Sequence, residues 1–267
     1  MIDQESNPSW QVVEGDTEST VILHVPHSSQ TIPIDVRIGI VLNDDELQFE
    51  LLKMTDSHTS TLSHSAFSES ATKPWMFINL LSRLVVDPER FPDDREEMAQ
   101  VGMGAVYTQT HAGQRLREMS PEQRGHLVTK YFDPYAKALT ELVQQRLETN
   151  GHVTIVDVHS YPTNPLPYEL HGDGPRPAIC LGTDSFHTSP SLITKAQIAF
   201  QDIGGIGLDS PFAGTYVPMT HYGIEPRVQS IMIEIRRDLY MDEATGQFEH
   251  QKAVPLTSTL AAFIASI

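Results

Sequence analysis

The apolar positions of this chain gather into short runs, separated by stretches with helical spacing. Three runs rich in β-branched and aliphatic residues predict buried strands: TVILHV at 20–25, VTIVDV at 153–158 and VQSIMIEI at 228–235. AICLG at 178–182 predicts a shorter buried strand. Because a helical pattern leads directly into the strand at 153, we expect an α/β fold.

Capping residues mark the helix starts. Asn43 is followed by acids that favour the positive end of a helix dipole, and Ser120 is followed by proline at N1 and Gln123 at N3. Pro134 should kink the second helix or split it in two, because proline removes a backbone donor. Ser189-Pro190 opens a further helix. The final helix has one stripe of large apolar residues: Leu256, Leu260, Ile264 and Ile267.

Three stretches have no clear period. Residues 1–19 are polar and predict a loose N-terminal arm or an edge piece. Residues 75–94 contain two short strand-like runs, and the glycine-rich residues 98–113 predict a loop or lid without phosphate-loop spacing. Since no repeat or linker divides the chain, we expect a single domain over residues 1–267.

Composition narrows the classes of partner. The formal net charge of −17 disfavours binding to nucleic acid or to an anionic membrane surface. Cys180 is the only cysteine, which excludes an internal disulfide. The first residues lack the pattern of a secretory signal, and no run reaches the roughly 18 apolar residues of a membrane span. A cytoplasmic location is therefore the default expectation.

Polar residues stand where the predicted strands end. His27 follows the first strand, and Asp157 and His159 lie at the carboxyl end of the central one. Ligands of open α/β sheets bind in the crevice outside these strand ends. A catalytic zinc takes three His, Asp or Glu ligands and keeps a position open for water. His27, His159 and either Asp56 or His58 could supply the three.

Bound zinc would acidify a water ligand and polarise a carbonyl, and Glu234, near the end of the last strand, could take and return the proton. The alternative for Glu234 is a buried ion pair with Arg236 or Arg237. Asp157 could hold a strand-end hydrogen bond or orient a ligating histidine. The chain has no GxSxG elbow and Cys180 lies within a strand, which disfavours a nucleophile mechanism.

The positively charged side chains near the predicted site can be explained without a role in binding substrate. Arg83 and Arg90 lie among acids that include Asp87 and Glu89, so local ion pairs account for either of them. His221 lies in a glycine-containing stretch, where an exposed loop histidine is the simplest interpretation.

Seven short segments resemble the N-formylglutamate amidohydrolases, a family similar to the zinc carboxypeptidases and aspartoacylases. They run in the family's order across nearly the whole chain. They are VPHSS (25–29), TDSHTSTL (55–62), LSRLVVDPERFPDD (81–94), DPYAKAL (133–139), VDVHSYP (156–162), PFAGTYVPMTHYG (211–223) and IMIEIRRDLYMDE (231–243). The resemblance implies a carboxypeptidase-like α/β fold with a mostly parallel or mixed central sheet flanked by helices, and a zinc-dependent amidase activity.

The same resemblance implies roles for individual residues. It makes His27 and His159 metal ligands, with Asp56 the best third ligand by its place in the motif. Glu234 would be the general base, by its likeness to the late glutamate of the carboxypeptidases.

Further residues would line the substrate side or stand behind the ligands. The resemblance suggests Arg83 for the substrate carboxylate and makes His221 a weaker candidate for the same pocket. We expect Arg90 to hold carboxylates together with Arg83, because the planar guanidinium fork suits that task. Asp157 and His58 would form the layer behind the metal ligands.

Two departures from the family pattern stand out. The family often has PYH where this chain has Pro134-Tyr135-Ala136, and many members have DxNR where this chain has Asp87-Pro88-Glu89-Arg90. The second departure lies on the presumed substrate side. We expect hydrolysis of a small N-acyl amino acid, with N-formyl-L-glutamate, giving L-glutamate and formate, the best named substrate. The alternatives are another acyl amide or short peptide end, or a metal-free protein that binds small molecules on the same fold.

Overall fold

The computed structural model describes residues 8–170 and 172–267, and one seven-stranded sheet runs through it. The strands are β1 (Trp10–Val13), β2 (Val21–Val25), β3 (Trp75–Asn79), β4 (Val153–Tyr161), β5 (Ile179–Gly182), β6 (Ile206–Leu208) and β7 (Val228–Arg236). They lie in the order β1-β3-β2-β4-β7-β5-β6. The four strands β3, β2, β4 and β7 are parallel, whereas β1 and β5 pair antiparallel with β3 and β7. The expected α/β fold with a mixed sheet is confirmed.

Helices flank both faces of this sheet. Within the described ranges they are α1 (Ile34–Arg37), α2 (Asp44–Met54), α3 (Thr59–Glu69), α4 (Pro121–Leu127), α5 (Asp133–Asn150), α6 (Pro190–Phe200) and α7 (His250–Ser266). Short 3₁₀ segments cover Glu97–Val101 and Arg237–Leu239. In residues 8–170 and 172–267, none of the helices has both the length and the apolar character that crossing a membrane requires.

The predicted caps form as expected. Asn43 and Ser120 each make a reciprocal capping box with the side chain at N3, Glu46 and Gln123. A π-helical segment at Val128–Phe132 joins α4 to α5 immediately before Pro134. The wider turn accommodates a proline that cannot complete the regular α-helical ladder.

The structure departs from the predictions for the three stretches without a clear period, or decides between the alternatives given for them. Residues 1–7 of the predicted arm lie outside the described residues, and within residues 8–19 the strand β1 lies at the edge of the sheet, as an edge piece would. Residues 75–94 hold one strand, β3, and not two. Residues 98–113 are no exposed lid, since Met103 and Tyr107 are buried in a cluster with α2. β6 was not expected, because a strand of three residues leaves too short a pattern.

The two faces of the sheet bury different layers. One face packs on α3, α6 and α7, and the other packs on α5. Ile22, Ile155 and Val228 lie on the α5 face, near the amino ends of β2, β4 and β7. Because side chains alternate along a strand, the same face carries His24, Asp157, His159 and Glu234 towards the carboxyl ends. The α5 face thus changes from apolar to strongly polar along the strands.

Candidate metal centre

Strand register sets the backbone of the site. His24 lies opposite Asp157 across β2 and β4, and His159 lies opposite Glu234 across β4 and β7. The loop after β2 then brings His27 to the same end of the sheet. The backbone N–H of Asp56 donates to the His27 carbonyl oxygen at 3.0 Å, which ties the loop after α2 to this point.

A pair of buried histidines forms the middle of the site. The Nδ1 atoms of His27 and His159 lie 3.3 Å apart. The opposite nitrogen of His27, Nε2, lies 2.9 Å from Asp87 Oδ1, and His159 Nε2 lies 3.1 Å from Asp157 Oδ1. A carboxylate oxygen thus lies near each Nε2, although His159 Nε2 makes no hydrogen bond, and the two Nδ1 atoms face each other. This arrangement is favourable only with a proton or a cation between them.

Asp56 completes a compact triangle on the Nδ1 side. Its Oδ2 lies 3.1 Å from His159 Nδ1 and 3.6 Å from His27 Nδ1. A tetrahedral zinc with nitrogen and oxygen ligands would separate its ligand atoms by about 3.3 Å. The other oxygen, Oδ1, accepts from Arg237 Nη2 at 3.3 Å. The structure thus brings together the three expected ligands, with Arg237 holding the third in place.

Glu89 is a second carboxylate within reach of the histidines, and sequence reasoning missed it. Its Oε2 lies 3.2 Å from His159 Nε2 and 3.6 Å from His27 Nε2, while its Oε1 is buried without a hydrogen-bond partner. His27, Glu89 and His159 can each place a ligand atom within 4.8 Å of the others, and so can His24, Glu89 and Asp157. The only signal in the sequence was that Glu89 stands where the resembling family has asparagine.

The balance of charge also fits a divalent cation. Five carboxylates surround the histidine pair: Asp56, Asp87, Glu89, Asp157 and Glu234. Three arginines neighbour them: Arg83, Arg90 and Arg237. When all are ionised, two negative charges remain uncompensated. Burial disfavours the charged form of both histidines, and Arg83 adds to this at His27, yet the surrounding carboxylates raise the pKa of His27 and His159. The donor set and the excess of negative charge both suit a metal such as zinc.

Glu234 is buried beside this cluster without a fixed partner. Its Oε2 has no hydrogen bond within the described part of the chain. Burial raises its pKa to about 7, and the charge of Asp56 adds to this effect against His159, Arg83 and Arg237. The expected competitors are engaged elsewhere, Arg236 with Asp238 and Arg237 with Asp56.

Arg83 and Arg90 lie at the site but are already paired. Arg83 donates to Asp87 Oδ2 through Nε at 3.2 Å and through Nη2 at 2.7 Å. Tyr107 donates to the same oxygen at 2.6 Å. Arg90 is 29% exposed and approaches Asp87 and Glu96 only to 3.6 and 3.7 Å. Local ion pairing therefore describes Arg83, while Arg90 is the more accessible of the two cations.

The structure does not bring His58 or His221 into the site. His58 caps α3 in a left-handed conformation, and its Nε2 lies 2.8 Å from the Gly246 carbonyl oxygen. The ring of His58 thus contacts the backbone at Gly246, and its place behind the ligands stays a prediction. His221 lines a surface cavity of about 500 Å³ together with α5 residues between Thr140 and Glu148. His221 thus lies beside α5, and its place in the substrate pocket stays a prediction. Asp157, by contrast, does lie behind His159.

Comparisons with known proteins bear on the fold and the family. No curated protein sequence matches the chain. A crystallised N-formylglutamate amidohydrolase from Ralstonia eutropha JMP134 superposes with a TM-score of 0.81 at 21% identity, over 97% of this chain and 96% of that one. A crystallised gene product of Agrobacterium tumefaciens superposes with a TM-score of 0.68 at 17% identity, over the same shares. Residues 19–241 match the family model described as N-formylglutamate amidohydrolase, and the chain belongs to that family.

Proposed function

We propose that this protein is a metal-dependent amidohydrolase that cleaves N-formyl-L-glutamate to L-glutamate and formate. Family membership supports the amide bond and the substrate class. The observation that carries the metal dependence is the 3.3 Å approach of His27 Nδ1 and His159 Nδ1, with Asp56 Oδ2 beside both.

His27, His159 and Asp56 would hold the metal. When bound, a zinc ion would polarise the acyl carbonyl and lower the pKa of water in the site. Asp87 Oδ1 lies 2.9 Å from His27 Nε2 and Asp157 Oδ1 lies 3.1 Å from His159 Nε2, so these carboxylates would orient the ligating histidines and set their tautomers.

Glu234 would move the proton. Its unpartnered Oε2 lets it accept a hydrogen from the water that attacks the formyl carbon. As the C–N bond breaks, Glu234 returns that proton to the nitrogen, and glutamate leaves as an amine. The place opposite His159 in the sheet keeps this carboxyl group next to the proposed metal ligands.

Guanidinium groups would hold the carboxylates of the substrate. Arg90 is the better placed, since it is 29% exposed and its ion-pair distances are long. Arg83 would take part through its Nη1, because Nε and Nη2 already donate to Asp87. A planar guanidinium suits a carboxylate partner by its fork geometry.

A substrate panel tests this proposal. Zinc-loaded protein should release amine from N-formyl-L-glutamate faster than from N-acetyl-L-glutamate, N-formyl-L-glutamine or N-acetyl-L-aspartate. Preference for another member of the panel would refute the substrate but keep the reaction class. Tight binding of an acyl amino acid without turnover would instead indicate a binding protein.

A further inference from the structure

A chain of four buried side chains runs away from the proposed metal site into the core. Tyr135 OH lies 2.6 Å from His24 Nε2, His24 Nδ1 lies 2.9 Å from Asp157 Oδ1, and the same oxygen lies 3.1 Å from His159 Nε2. All four residues are at most 4% exposed. Tyr135 comes from α5, 111 positions from its histidine partner.

The chemistry of the side chains sets the direction of the two hydrogen bonds at His24. A carboxylate only accepts, so His24 Nδ1 must carry the hydrogen that faces Asp157. The hydroxyl of Tyr135 then donates to His24 Nε2, which is left as the acceptor. The second oxygen of Asp157 accepts the backbone N–H of Tyr216 at 3.3 Å. Asp157 is therefore held by two donors, His24 and the Tyr216 backbone, and its Oδ1 also lies 3.1 Å from His159 Nε2. Glu89 Oε1 lies 3.4 Å from His24 Nδ1 without a hydrogen bond to it.

We propose that Tyr135 and His24 are positioning residues that hold Asp157, and through it the ring of His159, in the orientation that binds the metal. This inference rests on the proposed function. Asp157 must offer Oδ1 to His159 so that the ring points Nδ1 towards His27 and Asp56. Loss of such partners behind a ligating histidine typically weakens metal binding about 10–100-fold.

Substitutions at the two ends of His24 separate its two contacts. The amide nitrogen of asparagine replaces Nδ1 and can still donate to Asp157, whereas that of glutamine replaces Nε2 and cannot. Tyr135→Phe removes only the hydroxyl and keeps the ring that packs edge-on against Phe77 at 5.0 Å. Tyr131→Phe is the matched control. The hydroxyl of Tyr131 also donates to one acceptor group, Asp35, at 3.0 Å, but it lies outside the chain of four side chains from Tyr135 to His159.

The readouts are the zinc dissociation constant by chelator competition, the visible spectrum of the Co²⁺-loaded protein and the unfolding midpoint without metal. We expect Tyr135→Phe and His24→Gln to bind zinc about 10–100-fold more weakly and to alter the Co²⁺ bands. His24→Asn should lose less zinc affinity than His24→Gln, because it keeps the donor to Asp157 and gives up only the contact with Tyr135. Tyr131→Phe should stay near the wild type in both zinc affinity and the Co²⁺ spectrum.

Other outcomes decide against one claim or the other. A lower unfolding midpoint with unchanged zinc affinity in Tyr135→Phe and His24→Gln would give these side chains a purely structural role and overturn the inference. Equal losses in His24→Asn and His24→Gln would contradict the assigned direction of the hydrogen bonds. If the wild type itself does not bind zinc stoichiometrically, the proposed function fails, and the variants then say nothing about the positioning of His159.

Discussion

Replacing Glu234 by glutamine separates a proton carrier from a structural carboxylate. The change keeps the shape of the side chain, and Oε2 has no hydrogen bond to lose. In the metal-free protein, burial raises the pKa of Glu234 from 4.5 to about 7. Since the folded pKa lies above the unfolded one, the carboxyl group costs stability as the pH rises between these two values, and the cost is constant above them. A shift of this size corresponds to a cost on the order of 3 kcal/mol.

Glutamine cannot titrate, so metal-free Glu234→Gln should match or exceed the stability of the wild type near neutral pH, with the difference shrinking towards pH 4.5. Zinc-loaded variant should turn over about 10²–10⁴-fold more slowly, because the proton carrier is lost. A structural ion pair predicts the opposite sign, a loss of about 3–5 kcal/mol of stability.

Denaturant unfolding and steady-state kinetics on the same preparations measure both quantities. Glu50→Gln is the matched control, since Glu50 is a buried glutamate that accepts from the His111 backbone N–H at 2.7 Å. It should lose stability and keep its turnover per folded molecule. A Glu234→Gln protein that is less stable than the wild type but turns over at the normal rate would make Glu234 a structural carboxylate and not the proton carrier.

Further predictions concern the metal ligands and the cations. His27→Ala should co-purify without zinc and lose activity, and metal content near one per chain would contradict its role. Asp56→Asn should weaken zinc binding more than Glu89→Gln does, because only Asp56 faces both Nδ1 atoms; the reverse order by chelator competition would make Glu89 the third ligand. Arg83→Ala should lower the free energy of unfolding by about 3–5 kcal/mol, since it removes a partner of buried Asp87, and unchanged stability in urea would show that the pair is dispensable. His58→Ala should leave zinc affinity unchanged, and a large loss would return His58 to the site.

Local sequence patterns were enough to locate the ends of the central strands and the polar side chains at those ends. A run of β-branched residues fixes a strand, and the alternation of side chains then puts Asp157 and His159 on one face. His27, Asp157, His159 and Glu234 were found in this way, because each lies in or directly after a strongly patterned strand.

Contacts made by loops and distant helices were beyond such patterns. Glu89 enters the site through a turn after Asp87, where its backbone N–H meets Oδ1 of that residue at 3.2 Å, and no period records this. His24 lies inside β2, and no local pattern connects it with its partner Tyr135 on α5. His58 lies with Asp56 in the short connection between α2 and α3, where no helix or strand period sets the direction of a side chain.

Formate release from three samples distinguishes a metal-dependent reaction at this site from a metal-independent one. The samples are wild-type protein stripped with a chelator, the same protein reloaded with one equivalent of zinc, and His159→Ala treated with zinc in the same way as the control. We expect hydrolysis of N-formyl-L-glutamate only in the reloaded wild type, in proportion to bound metal. Equal formate release from the stripped and reloaded wild-type protein would contradict a metal-dependent reaction at the pair His27 and His159.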